Sequence, residues 1–391
     1  MAFEGLPTEG IATAMAHSAL RFGVLGPLQL SVNGTDQPLG AAKQRAVLAV
    51  LLINRNRTVP IDSLIDAAWQ EKPPPEARAS LHAHISRLRR LVGGAGMDPA
   101  AVLVSASPGY RLNVPDDAYD LGRFVTEQKA GIDAAAAGRF EQARDHLAAA
   151  LAEWRGPVLE DLRDFGFVEA FAAALEEDRL EALTVRAEAE IACGRAHSII
   201  GELEVLVAEQ PYREPLWAQL ITAYYLAVRQ YDALDTYRRL KATLADDLGV
   251  DPSPALQALH QRILRQQPLD VKQAARATAK RAVETRQRRP RAARESAIAQ
   301  LRDAAGSRYP LRETATRIGR LPDNDIVIDD DTVSRHHAVI VDTGNSFVIT
   351  DLGSANGVDV GDQPIRTNAT LTDGDRICIS GHEFTFEIDA N

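Results

Sequence analysis

Residues 78–92, RASLHAHISRLRRLV, decide the reading of the amino-terminal third of the chain. Leu81, Ile85, Leu88 and Val92 fall at i, i+4, i+7 and i+11, one apolar stripe along a helix. His82, Ser86, Arg87, Arg89 and Arg90 fall off that stripe. The helix therefore has one side to bury and one side of donors and positive charge. Such a helix can pack on a small domain and enter a DNA groove, where arginine reads guanine edges and phosphates. An ordinary helix with a solvated basic face has the same pattern, and the neighbouring segments decide between the two.

Upstream, residues 20–32 read as strands closed by an Asn33-Gly34 turn. Residues 41–54 and 60–69 read as two helices, with Asp62 charging the first turn of the second. Gly93-Gly94 stops the third helix, and residues 102–114 form two short strands around Pro108-Gly109. Strands, three helices and a hairpin make the plan of a helix-turn-helix with a wing, the third helix being the reader.

Composition sets the outer bounds. The chain has 391 residues, room for two or three domains. Cys193 and Cys378 are the only cysteines and have neither disulfide-framework nor metal-ligand spacing, so a reducing, cytoplasmic setting is expected. Residues 1–19 read as a disordered leader without the basic start of a signal peptide, and no apolar run is long enough to span a membrane. The net charge of −10 divides unevenly. Residues 21–115 carry +5, residues 116–270 −12, residues 271–302 +8 and residues 303–391 −9. The sign changes place domain boundaries and leave the basic reader helix on a positive domain.

The stretch HISRLRRLVG with its PGYRL hairpin resembles the winged-helix output domain of bacterial response regulators. Taken with the helical segment C-terminal to it, the domain resembles more closely the SARP-type (actinobacterial antibiotic regulatory protein) activators. That resemblance implies a third helix in the major groove and a wing near the minor groove. Carried onto this chain, Arg87 is the base-contact candidate. Ser80, His84, Arg89 and Arg90 hold phosphates or neighbouring bases, and Arg111 sits on the wing. A half-buried helix histidine is an equal reading of His84, and a solvated side chain an equal reading of Arg90. Lys43 and Arg45 read as surface residues before phosphate contacts.

Residues 116–270 are rich in Ala, Leu and Glu and repeat weakly at an offset of about 34 residues, the tetratricopeptide period. Arg195, Ile200, Leu203 and Leu206 map onto Arg229, Leu234, Tyr237 and Leu240, and Gly138-Arg139-Phe140 opens a unit like that at Gly194-Arg195-Ala196. Helical hairpins of this kind bury their faces only by stacking. The stretch from Glu214 to Leu256 is similar to the bacterial transcriptional-activation domain that lies C-terminal to the winged helix in SARP-type regulators. Residues 271–300 are basic, poor in bulky apolar residues and broken by Pro290; they read as a flexible or partly helical linker.

From residue 301 the pattern alternates, with Gly, Asp and Asn between strands, as in a β-sandwich. Four loop elements, Gly319-Arg320, Asp323-Asn324, Ser334-Arg335-His336-His337 and Asn356-Gly357, resemble the forkhead-associated (FHA) domain, a phosphothreonine reader. A dianionic phosphate calls for a guanidinium, a hydroxyl and amide donors converging from loops. The resemblance implies that Arg320, Ser334 and Arg335 meet the phosphothreonine and that Asn356 bonds the ligand backbone, while Gly319, His337 and Gly357 support the loops. Ala355 stands where the family often places Ser or Thr, which removes one hydroxyl contact. A salt bridge from Arg320 to Asp323 or Asp325 is the competing reading.

The fold expected is a multidomain α+β chain: winged helix-turn-helix at 20–115, all-α tetratricopeptide-like domain at 116–270, linker at 271–300 and all-β FHA sandwich at 301–391. The three domains in this order resemble mycobacterial regulators of cell-wall arabinosyltransferase genes. That resemblance implies promoter double-stranded DNA and a phosphorylated serine/threonine kinase as partners, with RNA polymerase as a further one. The alternative is a phosphothreonine-dependent adaptor without sequence-specific DNA binding. No enzyme and no cofactor are expected, since GxxxxGK(S/T), GxSxG, HExxH and CxxC are all absent.

Overall fold

A computed structural model of the chain describes residues 20–70, 73–288, 298–311, 315–321, 324–342, 347–361, 363–365 and 368–389. The leader expected at 1–19, Asp323 and the Pro290 end of the linker lie outside these residues. The chain forms two compact units. One comprises the chain up to Val125, Ala152–Asp178 and the chain from Arg286; the other comprises Thr126–Leu151 and Arg179–Thr285.

The first unit opens with β1 (Leu20–Gly23), β2 (Gln29–Val32) and β3 (Thr35–Asp36), an antiparallel sheet in that order. Gly26-Pro27 breaks what the sequence suggested was one long strand. Asn33 and Gly34 both take left-handed φ values, 51° and 77°, as a tight hairpin turn requires. Three helices come next: α1 (Ala42–Ile53), α2 (Ile61–Trp69) and α3 (Ala77–Gly93). Ala77, Leu81, Ile85, Leu88 and Val92 of α3 are buried, the expected stripe extended by one turn. A short helix, α4 (Pro99–Val102), is capped by Asp98. It leads into the wing hairpin β5 (Leu103–Ala106) and β6 (Gly109–Leu112). Strand β4 (Thr58–Pro60), between α1 and α2, joins the wing sheet in the order β4-β6-β5.

The buried carboxylate of Asp120, at the start of α5 (Asp120–Ala136), ties β1 in place. It accepts from the N–H groups of Val24 (2.9 Å) and Leu25 (2.9 Å) and pairs with Arg155 at 3.1 Å. Burial raises the Asp120 pKa, and these three donors pull it back.

Helices α6 (Phe140–Ala152), α7 (Gly166–Ala192), α8 (Ala196–Glu209), α9 (Glu214–Leu226), α10 (Gln230–Leu248) and α11 (Pro254–Leu264) continue the all-α part. In the second unit Leu203, Leu220, Ile221, Leu240 and Ile263 form its core. The linker is more ordered than its composition suggested. Helix α12 spans Val271–Arg288, with Ala275, Ala279 and Ala282 buried. Alanine, arginine and lysine are strong helix formers, and a stripe of small side chains packs without bulk. Thr278 of α12 donates its hydroxyl to Glu188 of α7 at 3.1 Å. Burial lifts the Glu188 pKa from the ordinary 4.5 to about 7, against the Thr278 and Gln219 hydrogen bonds and the Arg281 charge.

The sandwich comprises two sheets. One has the order β10-β9-β11-β12-β15, from Ile326–Val327, Ala315–Gly319, Ala338–Asp342, Phe347–Asp351 and Asn368–Leu371. The other has the order β14-β13-β16-β17-β7-β8, from Gln363–Pro364, Val358–Val360, Arg376–Ile379, His382–Asp389, Ile298–Asp303 and Arg308–Pro310. Ile318, Ile340, Ile349, Leu371, Ile377 and Phe386 fill the space between them.

Removing the Asp120 carboxylate by Asp120→Ala leaves three backbone N–H groups and a guanidinium without their acceptor. The expected loss is about 3–5 kcal/mol, read as an earlier denaturant transition. Glu188 gives the opposite kind of test. Its folded pKa lies above its unfolded value, so the stability tied to its neutral form is full below pH 4.5 and is lost as pH rises through about 7. Glu188→Gln should flatten thermal stability across that window and stabilise at pH 8 by on the order of 2 kcal/mol. An unchanged pH profile would refute the assignment.

Candidate functional site

The outward face of α3 is built from small and polar residues. Ala79, His82, Ala83, Ser86, Arg87 and Arg90 are exposed. Ala79 and Ala83 give the helix a low profile there, and Arg87 and Arg90 extend from it without a protein acceptor among the described residues. Helical geometry turns the other expected contacts to the flanks of this face. Ser80 is half-buried. His84 is half-buried against Trp69, ring centroids 5.9 Å apart, with its Nδ1 buried and unpartnered. Burial lowers the His84 pKa, and Arg87 and Lys43 lower it further.

Arg89 turns to the wing. Its Nε (2.9 Å) and Nη2 (2.7 Å) both donate to the Leu103 carbonyl, and Nη2 reaches Ser105 Oγ at 3.0 Å. The guanidinium is thereby occupied within the domain and braces β5 against α3. Arg111 lies on β6, the middle strand of the wing sheet, paired with Thr58 and Val104, with its Nε buried. The wing tip carries Ser105, Ser107 and Pro108 as its exposed residues.

His82 and Tyr110 form a second brace that the sequence did not single out as a site. His82 Nδ1 lies 2.7 Å from the Tyr110 hydroxyl. The Tyr110 ring also lies 5.9 Å from the Arg89 guanidinium. His82 and Tyr110 are 28 residues apart in the chain. A local pattern cannot reveal the pair; only the wing's return to α3 creates it.

The sandwich gathers its loop residues at one rim. Arg320, Asp331, Thr332, Ser334, Arg335 and Ala355 line an open cavity of about 560 Å³. Its geometry depends on His337, which is fully buried. The Ser334 N–H donates to His337 Nδ1 at 3.1 Å, so Nε2 carries the proton and donates to the Gly357 carbonyl at 2.9 Å. One neutral imidazole thus holds two loops. Gly319 allows a close approach between loops: a Cβ there would lie 2.4 Å from the Arg335 carbonyl oxygen. Asn324 Nδ2 donates to that same carbonyl at 2.8 Å.

Ser334 Oγ accepts from the Ala355 N–H at 3.1 Å, which leaves its own proton for an anion. Among the described residues, the ion pair of Arg320 is a distant one, with Asp331 at 3.9 Å, which is itself fully exposed. Asp325 accepts instead from the Arg317 N–H at 2.7 Å. Asn356 Nδ2 donates to the Thr332 carbonyl at 2.8 Å, which orients its amide. Ser380 Oγ donates to that carbonyl as well, also at 2.8 Å.

The same loop is fixed from below by Asp330. Its carboxylate accepts from the Thr332 N–H (2.7 Å) and hydroxyl (2.6 Å) and contacts His382 at 3.0 Å, which together hold its pKa down at about 2. Thr332, Ser380 and His382 were not singled out from the sequence. The Asp330-x-Thr332 spacing, an Asx-type turn, was the signal available for the first of them.

Family comparisons match the three parts in order. Residues 37–112 match the transcriptional regulatory protein C-terminal family, residues 119–264 the bacterial transcriptional activator domain and residues 316–380 the FHA domain. The chain is 62% identical over 379 residues to the transcriptional regulatory protein EmbR of Mycobacterium tuberculosis, covering 97% of this chain and 98% of that one. It is 51% identical over 262 residues to the transcriptional regulatory protein MoaR1 of the same organism, covering 67% of this chain and 84% of that one. The regulatory protein AfsR of Streptomyces coelicolor is 40% identical over 251 residues, 64% of this chain and 25% of its own length. Among solved structures, M. tuberculosis EmbR in complex with a low-affinity phosphopeptide superposes with a TM-score of 0.90, covering 95% of this chain and 99% of that one at 62% identity.

Proposed function

The chain belongs to the EmbR family of transcriptional regulatory proteins, and on that footing we propose that it activates cell-wall arabinosyltransferase genes under the control of a phosphorylated serine/threonine kinase. The carrying observation is the rim of the sandwich. Arg320, Ser334 and Arg335 converge on one open cavity, beside an Asn356 whose amide is already oriented. A phosphothreonine supplies the dianion that such a set accepts. In this reading Arg320 makes the charge-assisted contact, Ser334 Oγ donates to a phosphate oxygen, Arg335 reaches the phosphate or a neighbouring ligand residue, and Asn356 holds the ligand backbone.

At the other end, Arg87 and Arg90 reach into the major groove from a helix face kept low by Ala79 and Ala83. Arg111 and the wing tip track the adjacent backbone, and Ser80 and His84 lie at the edge of the contact. Arg89 acts by holding the wing in position. The helical part contacts protein, with RNA polymerase as its partner. No helix among the described residues is long and apolar enough to cross a membrane. The phosphorylated kinase is met through the sandwich. Asp66 of α2 feels the charge of Arg317 on β9, and its pKa is raised mainly by burial.

Titration of the whole chain with a phosphothreonine peptide tests the phosphate site. Arg320→Ala and Ser334→Ala should each weaken binding by roughly 1.5–3 kcal/mol. The unphosphorylated peptide should not bind. Retained affinity in both variants would sink the assignment. On DNA, Arg87→Ala should lose roughly 1–3 kcal/mol, concentrated at one base-pair position of the bound site. A uniform loss across all sequences would make Arg87 a phosphate contact instead.

A further inference from the structure

Three turns of the all-α part share one sequence pattern as well as one geometry. At AGRF (137–140), CGRA (193–196) and AVRQ (227–230), the second residue is left-handed and an arginine comes next. The hydrogen bonds repeat too. The N–H groups of Gly138, Gly194 and Val228 donate three residues back, to Ala135, Ile191 and Tyr225, at 2.9, 3.0 and 3.1 Å. Those of Arg139, Arg195 and Arg229 donate five residues back, to Ala134, Glu190 and Tyr224, at 2.9, 3.0 and 2.9 Å. Two of these turns use glycine, at φ 79° and 80°, and the third the apolar Val228 at φ 61°; the end of α11 closes with the same hydrogen bonds around the polar Gln266 at φ 54°.

A β-branched residue in that conformation is strained, where glycine is not. Burial does not offset the strain, because Val228 is 91% exposed. The fold would be served better by the glycine of the other two turns. Backbone strain held at an exposed apolar residue points to a contact made outside the chain.

The surroundings say what kind. Leu226, Tyr231 (73% exposed) and Leu264 are also exposed. The end of α11 is held against this turn by Gln230 Nε2 donating to the Ile263 carbonyl and the Tyr225 hydroxyl donating to the Gln267 carbonyl, both at 3.1 Å. Four exposed arginines lie on this turn, on α10 and at the end of α11: Arg229, Arg238, Arg262 and Arg265. The Arg238 guanidinium lies 5.9 Å from the Tyr231 ring. Asp232 and Asp235 are the acids on the same turn, each paired with an arginine three residues away. Four arginines against these two acids leave a local excess of positive charge in a stretch, 116–270, whose net charge is −12.

We propose that the Val228 turn, with Leu226, Tyr231, Leu264 and the four arginines, is a docking surface for an acidic amphipathic helix of a protein partner. The apolar residues receive the partner's apolar face, and the arginines meet its carboxylates. The proposal deepens the reading of the helical part as the protein-contacting part and rests on it.

The test uses the full chain and a fluorescein-labelled helical peptide of about fifteen residues, leucine on one face and glutamate on the other, read by fluorescence anisotropy. A peptide with every glutamate changed to lysine is the control. Val228→Gly keeps the turn geometry of the other two hairpins, so its thermal midpoint should equal or exceed that of the parent chain. Val228→Gly and Tyr231→Ser should each weaken the acidic peptide by at least about fivefold. The lysine peptide should not bind. DNA and phosphothreonine-peptide binding, measured in the same samples, should be unchanged. A loss of all three together would indicate a folding defect in that variant, and Val228→Gly would then fail its stability expectation, overturning the strain argument. Equal affinity of parent and variants, no binding of the acidic peptide or equal binding of the lysine peptide would overturn the docking surface. A concentration-dependent dimer abolished by Val228→Gly would overturn it in favour of a contact between copies of the chain.

Discussion

A carboxylate shut away from water is the constraint on which the amino-terminal architecture depends. Asp120 stands between β1 and the first long helix, and it has to be satisfied there or the burial of its charge destabilises everything around it. Three backbone N–H groups, those of Val24, Leu25 and Leu121, and Arg155 satisfy it. Because two of the N–H donors belong to Val24 and Leu25, the small leading sheet is locked to α5. His337 plays the same part in the sandwich. A single buried side chain with both nitrogens engaged sets the distance between the loops that carry Ser334 and Asn356.

Much of this was legible in the sequence, because the signals were local. The apolar stripe of α3, the Asn33-Gly34 turn, the alternation of the sandwich strands and the loop elements around Arg320, Ser334 and Asn356 each rest on residues close together in the chain. The less legible features depend on residues far apart. Arg89 donates to the Leu103 carbonyl, which reaches it only after the chain has passed through α4. The His82–Tyr110 brace and the meeting of Asn356 and Ser380 on the Thr332 carbonyl have the same origin. The linker shows another limit. Its lack of bulky apolar residues suggested a chain without a core, but three alanines at helical spacing are enough to bury a face when a larger partner surface supplies the bulk.

The two binding surfaces solve different electrostatic problems. At the sandwich rim, donors are oriented before any ligand arrives: Ser334 Oγ already accepts one hydrogen bond, and the Asn356 amide is already tethered. Pre-orientation of this kind reduces the ordering required when a phosphate binds. On α3, Arg87 and Arg90 are long, exposed and without a protein acceptor among the described residues, as suits cations that exchange water and counterions for a polyanion. Rigid donors and exposed cations therefore coexist in one chain, each placed by how much of its surroundings is buried.

The plainness of the α3 face has a consequence for how much sequence this protein can distinguish. Two alanines, a serine, a histidine and two arginines offer few bonds to base edges, and a well-placed side chain discriminates about one base pair. Four base pairs, one for each of these polar side chains, would single out roughly one site in 256, against the ~10⁶ or more competing sites of a genome. One copy of the reader helix thus holds far less information than a unique promoter address requires. The remainder has to be written in the DNA itself, as repeated half-sites occupied together or as a local shape that only some sequences adopt.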